Sequence, residues 1–316
     1  MADLSGLKVV FMGTPAIALE SLKALIGSGA KIEAVVTQKP KPKGRGKKMS
    51  ASPVNELSDE EGLKVLSPVT ARDAEFIGEL KELSPDVIAV IAYGKILPEE
   101  ILKLPKYGCI NIHASLLPKY RGASPINRAI LSGDKVTGVT TMMMDTGMDT
   151  GDILLTEEIV IEDCDTSETL AEKISKVGAT LLIKTIEGVK SGAVKPRAQN
   201  DDEASYAPIL KKEDGLIEWS MAAREVFDHV RGLKPWPGAF TYLDGKLLKI
   251  HSATCAEGEY TAGEVIEAAG GKVVVGCGSG SLEITELQLE GKRRMSAEEF
   301  LKSGKIKVGD KLGQLQ

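Results

Sequence analysis

The sequence predicts an α/β fold over its first two-thirds and a smaller domain of short strands after it. Three observations support this. Apolar, strand-length runs alternate with helical stretches as far as residue 190. The run "PDVIAVIAYG" at 85–94 is almost continuously apolar, as in a parallel strand covered on both faces. Beyond residue 208 short runs separated by glycine turns dominate, as in "GEVIEAAGGKVVVGCGSGSLEITELQ". The first pattern indicates an open parallel sheet of Rossmann type, and the last a small β-barrel.

The elements follow in order. Residues 7–13 form a short buried strand. Pro15 opens a helix whose Ile17, Leu22, Leu25 and Ile26 fit helical spacing, with Gly29 past its end. Strands follow at 31–38, 85–94 and 108–113. In "GASPINRAILSG", Ser124 is the expected N-cap, Pro125 the first helical residue and Gly133 the stop. Residues 138–145 and 152–161 read as two further strands. A long helix at 166–189 carries Leu170, Ile174, Val177, Leu181 and Leu182 on one stripe. Residues 193–208 are polar and aperiodic, with two prolines, and read as a linker crossing the surface. A helix at 222–233 precedes the second run of strands, where "LDGK" signals a hairpin. The expected division is a first domain at 1–190, a linker at 191–207 and a C-terminal domain at 208–316.

Composition excludes several classes. The chain is 42% hydrophobic and 27% charged, with net charge −5, so affinity for nucleic acid needs a local basic patch. No apolar run approaches the roughly 18 residues of a membrane span. The N-terminus has no basic segment followed by an apolar one, so a cytoplasmic location is expected. The four cysteines are scattered without a CxxC pair and read as reduced packing residues, with no metal site expected.

The candidate chemistry lies in "CINIHASLLPKYRGASP" at 109–125. Strand alternation places Asn111 and His113 on one face, and Ile110 and Ile112 on the other. Both polar residues stand at the carboxyl end of a strand, where open α/β sheets place their sites. The loop "MDTGMDTGD" at 144–152 sits between two strands and can bring a carboxylate to His113. It lacks the twelve-residue spacing and terminal glutamate of a calcium loop. An amide, an imidazole and a carboxylate, without a serine or cysteine nucleophile, suit attack of an external amine on a carbonyl. The turn "FMGTPAIA" lacks both glycine-rich phosphate motifs, so a nucleotide cofactor is not indicated. "KPKPKGRGKK" at 39–48 carries six positive charges in ten residues. It reads as an exposed loop able to meet a phosphate backbone, and "GKRR" at 291–294 adds a smaller basic spot.

Taken together, "VVFMGTP", "GRGKKMSASPV", "NIHASLLPKYRGASPI", "MDTGMDTGD" and "KPWPGAFTY" resemble the methionyl-tRNA formyltransferase family over essentially the whole chain. The Asn-x-His…Ser-Leu-Leu-Pro and acidic-loop motifs belong to formyltetrahydrofolate-dependent formyltransferases in general. The basic loop and "PWPGA" resemble the tRNA enzymes more specifically. The resemblance implies that Asn111, His113 and Asp149 are catalytic. It implies folate contacts at Ser115, Leu116, Leu117 and Pro118, and at Tyr93, Gly94, Lys95, Ile96 and Leu97. It implies tRNA contacts at Arg45 and its neighbours Lys39, Lys41, Lys43, Lys47 and Lys48, and an OB-like C-terminal barrel that touches tRNA. The implied co-substrate is 10-formyltetrahydrofolate, the acceptor is the α-amino group of initiator methionyl-tRNA, and no metal is required. A monomer is expected. Two alternatives share parts of the pattern. A formyltransferase with a small acceptor keeps the catalytic set but has no use for the basic loop. A non-enzymatic RNA-binding module keeps the basic regions but has no reason to hold Asn111, His113 and Asp149 together.

Overall fold

The computed structural model describes residues 4–43 and 48–313. The chain forms two compact units. The first comprises Met1–Pro125, Val136–Val160 and Ala171–Ala207; the second comprises Ile126–Lys135, Ile161–Leu170 and Pro208–Gln316.

A seven-stranded sheet organises the first unit. Its order is Ile153–Val160, Val136–Met143, Cys109–His113, Val87–Ile91, Lys8–Gly13, Lys31–Val36 and Val65–Leu66. The last five strands in that order are mutually parallel. Val136–Met143 runs antiparallel to Cys109–His113, and Ile153–Val160 runs antiparallel to Val136–Met143, so the sheet is mixed and not wholly parallel. The second pairing follows from connection length: parallel neighbours need a crossover of a dozen or more residues, and only the short acidic loop joins those two strands.

The central strands follow from their side chains. Every residue of Val87–Ile91 and Cys109–His113 is buried. Around them Val10, Met12, Ile88, Val90, Leu97 and Ile101 form an apolar cluster. Beneath Ile112 the helix Ser167–Ser191 passes close at Gly178, where a Cβ would stand 3.1 Å from the Ile112 side chain. That contact uses the apolar face of the strand and leaves Asn111 and His113 facing the other way. Pro15 precedes a single 3-10 turn, Ala16–Ala18, before the helix Leu19–Gly27. The helix Pro125–Leu131 begins at the expected proline, and Gly133 follows its end with φ +72°. Two of the four cysteines, Cys109 and Cys277, are buried packing residues; Cys164 and Cys255 are exposed.

The polar stretch read as a linker is tied to the first unit by its main chain. Arg197 exchanges two hydrogen bonds with Ile153. Tyr206–Ala207 pairs in parallel with Arg121–Gly122. Most of its side chains are nevertheless exposed, so the segment runs over the surface while its main chain is paired. The basic segment is a two-stranded hairpin, Lys41–Lys43 against Lys48–Ser50, not a plain loop. Arg45 and Lys47 lie outside the described residues.

In the second unit an antiparallel sheet runs Ala239–Leu243, Lys246–Ala256, Ser281–Leu289, Lys272–Gly276, Val265–Ala269, with Met295–Ser296 added to Ser281–Leu289. Asp244 and Gly245 both adopt positive φ at the first hairpin, as "LDGK" predicts. Near the C-terminus, Gly313 bridges Tyr242 on one edge strand, and Lys311 bridges Glu264 beside the other edge. This short segment links the two edges and closes the sheet toward a barrel. Val226, Leu248, Ile250, Val273, Val275 and Leu287 are among its fully or nearly fully buried core residues. No helix among the described residues is long and apolar enough to cross a membrane.

Candidate functional site

His113 ends its strand and is 5% exposed. Its Nε2 lies 2.9 Å from the Tyr120 carbonyl. A carbonyl only accepts, so Nε2 carries the hydrogen and the ring is fixed by the chain seven residues on. The opposite nitrogen, Nδ1, faces Asp149 Oδ1 at 3.6 Å. The structure thus brings together the strand histidine and the loop aspartate that the sequence places 36 positions apart. Asn111 lies two residues back on the same strand face, 9% exposed. Its carboxamide makes no hydrogen bond among the described residues, which leaves it able to donate to a ligand.

The acidic loop divides its labour. Asp145 folds the loop: its carboxylate accepts from Gly147 N at 3.0 Å and from Thr150 Oγ1 at 2.8 Å. Asp149 is turned inward by a left-handed backbone, φ +55°. Its Oδ2 accepts from Gly122 N at 2.8 Å, and its Oδ1 makes no hydrogen bond among the described residues. Gly151 lets the loop sit against the strand end, since a Cβ there would fall 1.7 Å from the Met143 carbonyl.

The Ser-Leu-Leu-Pro turn is built into the sheet. Thr140 Oγ1 donates to Ser115 O at 2.7 Å and accepts from Leu117 N at 3.0 Å. Ser115 Oγ donates to Lys119 O at 2.6 Å. Ser115 and Leu117 are buried, and the latter packs with Met142 and Ile153. The second expected folate stretch follows the neighbouring strand. There Tyr93 and Leu97 turn into the core, Lys95 Nζ donates to the carbonyls of Pro68 and Val69, and Ile96 projects outward, 74% exposed. Gly94, at φ +76°, passes so close to Gln38 that a Cβ would meet its amide nitrogen at 2.7 Å. The Tyr93 carbonyl accepts from Gln38 Nε2 at 2.9 Å.

Burial removes two nearby groups from acid–base work. It pushes the Tyr93 hydroxyl up to about 12 and the Cys109 thiol up to about 12. Among the described residues no group of three or more metal-binding side chains is gathered.

Three contributors, Gln199, Asp201 and Ser205, escape a reading of motifs, while Arg121 lies within the strand-end motif without a role assigned to it. Gln199, Arg121, Asp201 and Ser205 surround the same turn. Ser205 Oγ accepts from Tyr120 N at 2.9 Å, and Ser205 O accepts from Arg121 N at 2.8 Å. Their sequence signal is weak, because the stretch holding Gln199, Asp201 and Ser205 has no period and ordinary linker composition. Of the basic residues, Lys39 is exposed and Lys41, Lys43 and Lys48 lie in the hairpin strands.

Two family models match the chain, a formyl transferase domain over residues 7–186 and a formyl transferase C-terminal domain over residues 209–305. A methionyl-tRNA formyltransferase of Caldanaerobacter subterraneus is 51% identical over 306 residues, covering 96% of this chain and 99% of its own. One from Citrifermentans bemidjiense is 48% identical over 311 residues, covering 98% of each chain. Among solved structures, an N-formyltransferase from Helicobacter canadensis in complex with folinic acid and dTDP-3-aminofucose superposes with TM-score 0.66 at 19% identity, over 88% of this chain and 99% of that one. HypX from Aquifex aeolicus in complex with tetrahydrofolic acid gives TM-score 0.66 at 17% identity, over 97% of this chain and 51% of that one. At such identities these two structures establish the fold alone.

Proposed function

The chain belongs to the methionyl-tRNA formyltransferase family, and on that premise we propose that Asn111, His113 and Asp149 carry formyl transfer from 10-formyltetrahydrofolate to the α-amino group of initiator methionyl-tRNA. The observation that carries this reading is the convergence of His113 and Asp149, 3.6 Å apart, beside the unpartnered carboxamide of Asn111.

The chemistry needs three things. A free α-amino group has a pKa of about 7.7–8.0, so a neutral fraction is available at pH 7. Its lone pair attacks the formyl carbon, and negative charge develops on the formyl oxygen. Asn111 donates to that oxygen and the His113 ring supports it; removing one such donor costs on the order of 100-fold or more in kcat. The attacking nitrogen then loses a proton, and Asp149 Oδ1 receives it. The carbon–N10 bond breaks as Asp149 passes that same proton on to N10, so the carboxylate is regenerated and the folate leaves as the neutral amine. The products are a formamide on the methionine and tetrahydrofolate. Gly122 N holds Asp149 Oδ2 throughout, so the carboxylate is oriented before the substrates arrive.

Folate is placed along the turn Ser115, Leu116, Leu117 and Pro118 and the stretch Tyr93, Gly94, Lys95, Ile96 and Leu97. Support comes from their position at the carboxyl ends of adjacent parallel strands. Because Tyr93 and Leu97 are spent on the core, the main chain and Ile96 are what that stretch offers a pterin. The basic segment at 39–48, with Lys39, Lys41, Lys43, Arg45, Lys47 and Lys48, and the C-terminal unit are assigned to tRNA. This work belongs in the cytoplasm, where initiator tRNA is charged. Incubating the protein with 10-formyltetrahydrofolate and either charged initiator tRNA or a dTDP-amino sugar tests the assignment. Formylmethionine on the tRNA, with the sugar untouched, is the expected outcome. Formylation of the sugar in preference to the tRNA overturns it.

A further inference from the structure

We propose that Gln199 is a positioning residue for the reaction: it holds the backbone of Asp149 in the left-handed turn that aims the carboxylate at His113. The inference rests on the assignment of Asp149 above and adds a residue outside the catalytic motifs.

Three observations converge. First, Asp149 occupies φ +55°, a left-handed conformation that an aspartate adopts as a single residue and that contacts on either side can hold. Second, both hydrogens of one amide supply those contacts. Gln199 Nε2 donates to Asp149 O at 2.8 Å and to Gly151 O at 2.7 Å. The turn is thereby pinned on either side of Thr150. Third, the amide is itself fixed. Gln199 Oε1 accepts from Arg121 Nε at 3.1 Å and Nη2 at 2.9 Å. Arg121 is 2% exposed, and its Nη2 also donates to Asp201 Oδ1 at 2.7 Å. The guanidinium leaves Gln199 Oε1 no freedom to exchange with Nε2, so the donor end faces the two carbonyls.

Arg121 and Gly122 are consecutive. Arg121 holds the main chain of Asp149 through Gln199, and Gly122 N holds the carboxylate directly. One dipeptide therefore fixes both ends of the same aspartate. The segment after the long helix is part of the site through this contact, which explains why a stretch of linker composition lies against the strands. Among the described residues the hydrogen bonds of Gln199 go to Arg121, Asp149 and Gly151, none to His113 or Asn111, so its effect passes through Asp149.

The test uses the full chain with both substrates. Gln199→Leu removes the donors. Gln199→Glu keeps the shape and an acceptor for Arg121 but sets a carboxylate against two carbonyls, and serves where the leucine variant does not fold. Either change should lower kcat by about 10- to 100-fold, the scale of a misplaced catalytic group, with KM unchanged for folate and tRNA. Adding either change to Asp149→Ala should produce no further loss, because the carboxylate being aimed is already gone. Normal kcat in the folded Gln199 variants overturns the proposal, as does a loss that multiplies fully with that of Asp149→Ala. Normal turnover by Asp149→Ala alone sinks the parent reading instead, so the two failures are distinct.

Discussion

Gly122 shows how much of the site rests on an atom that is absent. Its backbone sits at φ +123°, and a Cβ there would stand 2.7 Å from the Ala207 carbonyl. Its N–H is the donor that holds Asp149 Oδ2. Gly122→Ala should therefore disturb the Asp149 carboxylate without altering any titratable group. Strain of this kind costs about 1–3 kcal/mol, and the displaced N–H should lower kcat by about 10-fold or more. Thermal melting and single-turnover rates check the two halves; an alanine variant with both unchanged would contradict the geometry. At this scale the legible residues were those whose pairing follows from strand alternation. Asn111 and His113 share a face because they are two apart, and the acidic loop falls where a carboxylate can reach them. Which of its acids turns inward came from resemblance, since Asp145 and Asp149 have similar neighbours in the chain. Gln199 was invisible, because its partners are carbonyls some fifty residues away and nothing in a polar, aperiodic stretch announces them.

Among the elements, the helix Ala223–Gly232 carries the second unit's most demanding electrostatics. Asp228 and Arg231 are both nearly sealed from water and meet at 2.7 Å. Arg231 Nη1 also donates to the carbonyls of Glu162 and Asp165 at 3.0 and 2.9 Å. Removing Asp228 leaves a buried guanidinium without its counter-charge, so Asp228→Ala should cost about 3–5 kcal/mol. Arg224, which also pairs with Asp228, reaches the exposed Asp163 at 2.7 Å, and removing Asp163 should matter far less, at about 0–1 kcal/mol. Denaturant midpoints for the two variants give the comparison, and equal losses would show that burial does not govern this network. On the same helix burial holds the His229 imidazole below its ordinary value, with Asp214, Glu218 and the Gly215 backbone opposing that shift. The folded chain thus binds this proton less tightly than the unfolded one. Its contribution is intact above about pH 6.5 and is lost as the pH falls below it. Replacing His229 with Gln should flatten the decline in melting temperature between pH 7 and 5; a slope identical to that of the wild type would refute this. The strands and long helix were legible from apolar periodicity and from the glycine and proline stops. The two antiparallel strands were not distinguished from parallel ones, because periodicity reports burial and not direction. The pairing of Lys41–Lys43 with Lys48–Ser50 leaves no trace in the sequence, since lysine and proline give no strand signal.

For the molecule as a whole, the proposed function assigns chemistry and RNA capture to different residues. The residues assigned to the chemistry, Asn111, His113 and Asp149, all lie within the first unit, and the net charge of −5 gives no general attraction for phosphate. Capture is therefore assigned to local basic groups. If the segment at 39–48 neutralises about three or four phosphates, replacing its six cations should flatten the slope of log affinity against log salt by about two to four units. Folate binding, followed by calorimetry without tRNA, should stay as it was; an unchanged salt slope would mean that the hairpin is only solvated surface. The central claim is that one constellation performs the transfer, and single-turnover formylation of methionyl-tRNA at saturating substrates addresses it most directly. The rates to compare are those of the wild type, His113→Ala, Asp149→Ala and the double variant. Each single change should slow the step by about 100-fold or more, and the double variant should be little slower than either, because the groups act as a unit. Losses that multiply in full, or a single variant with the wild-type rate in a folded protein, would contradict it.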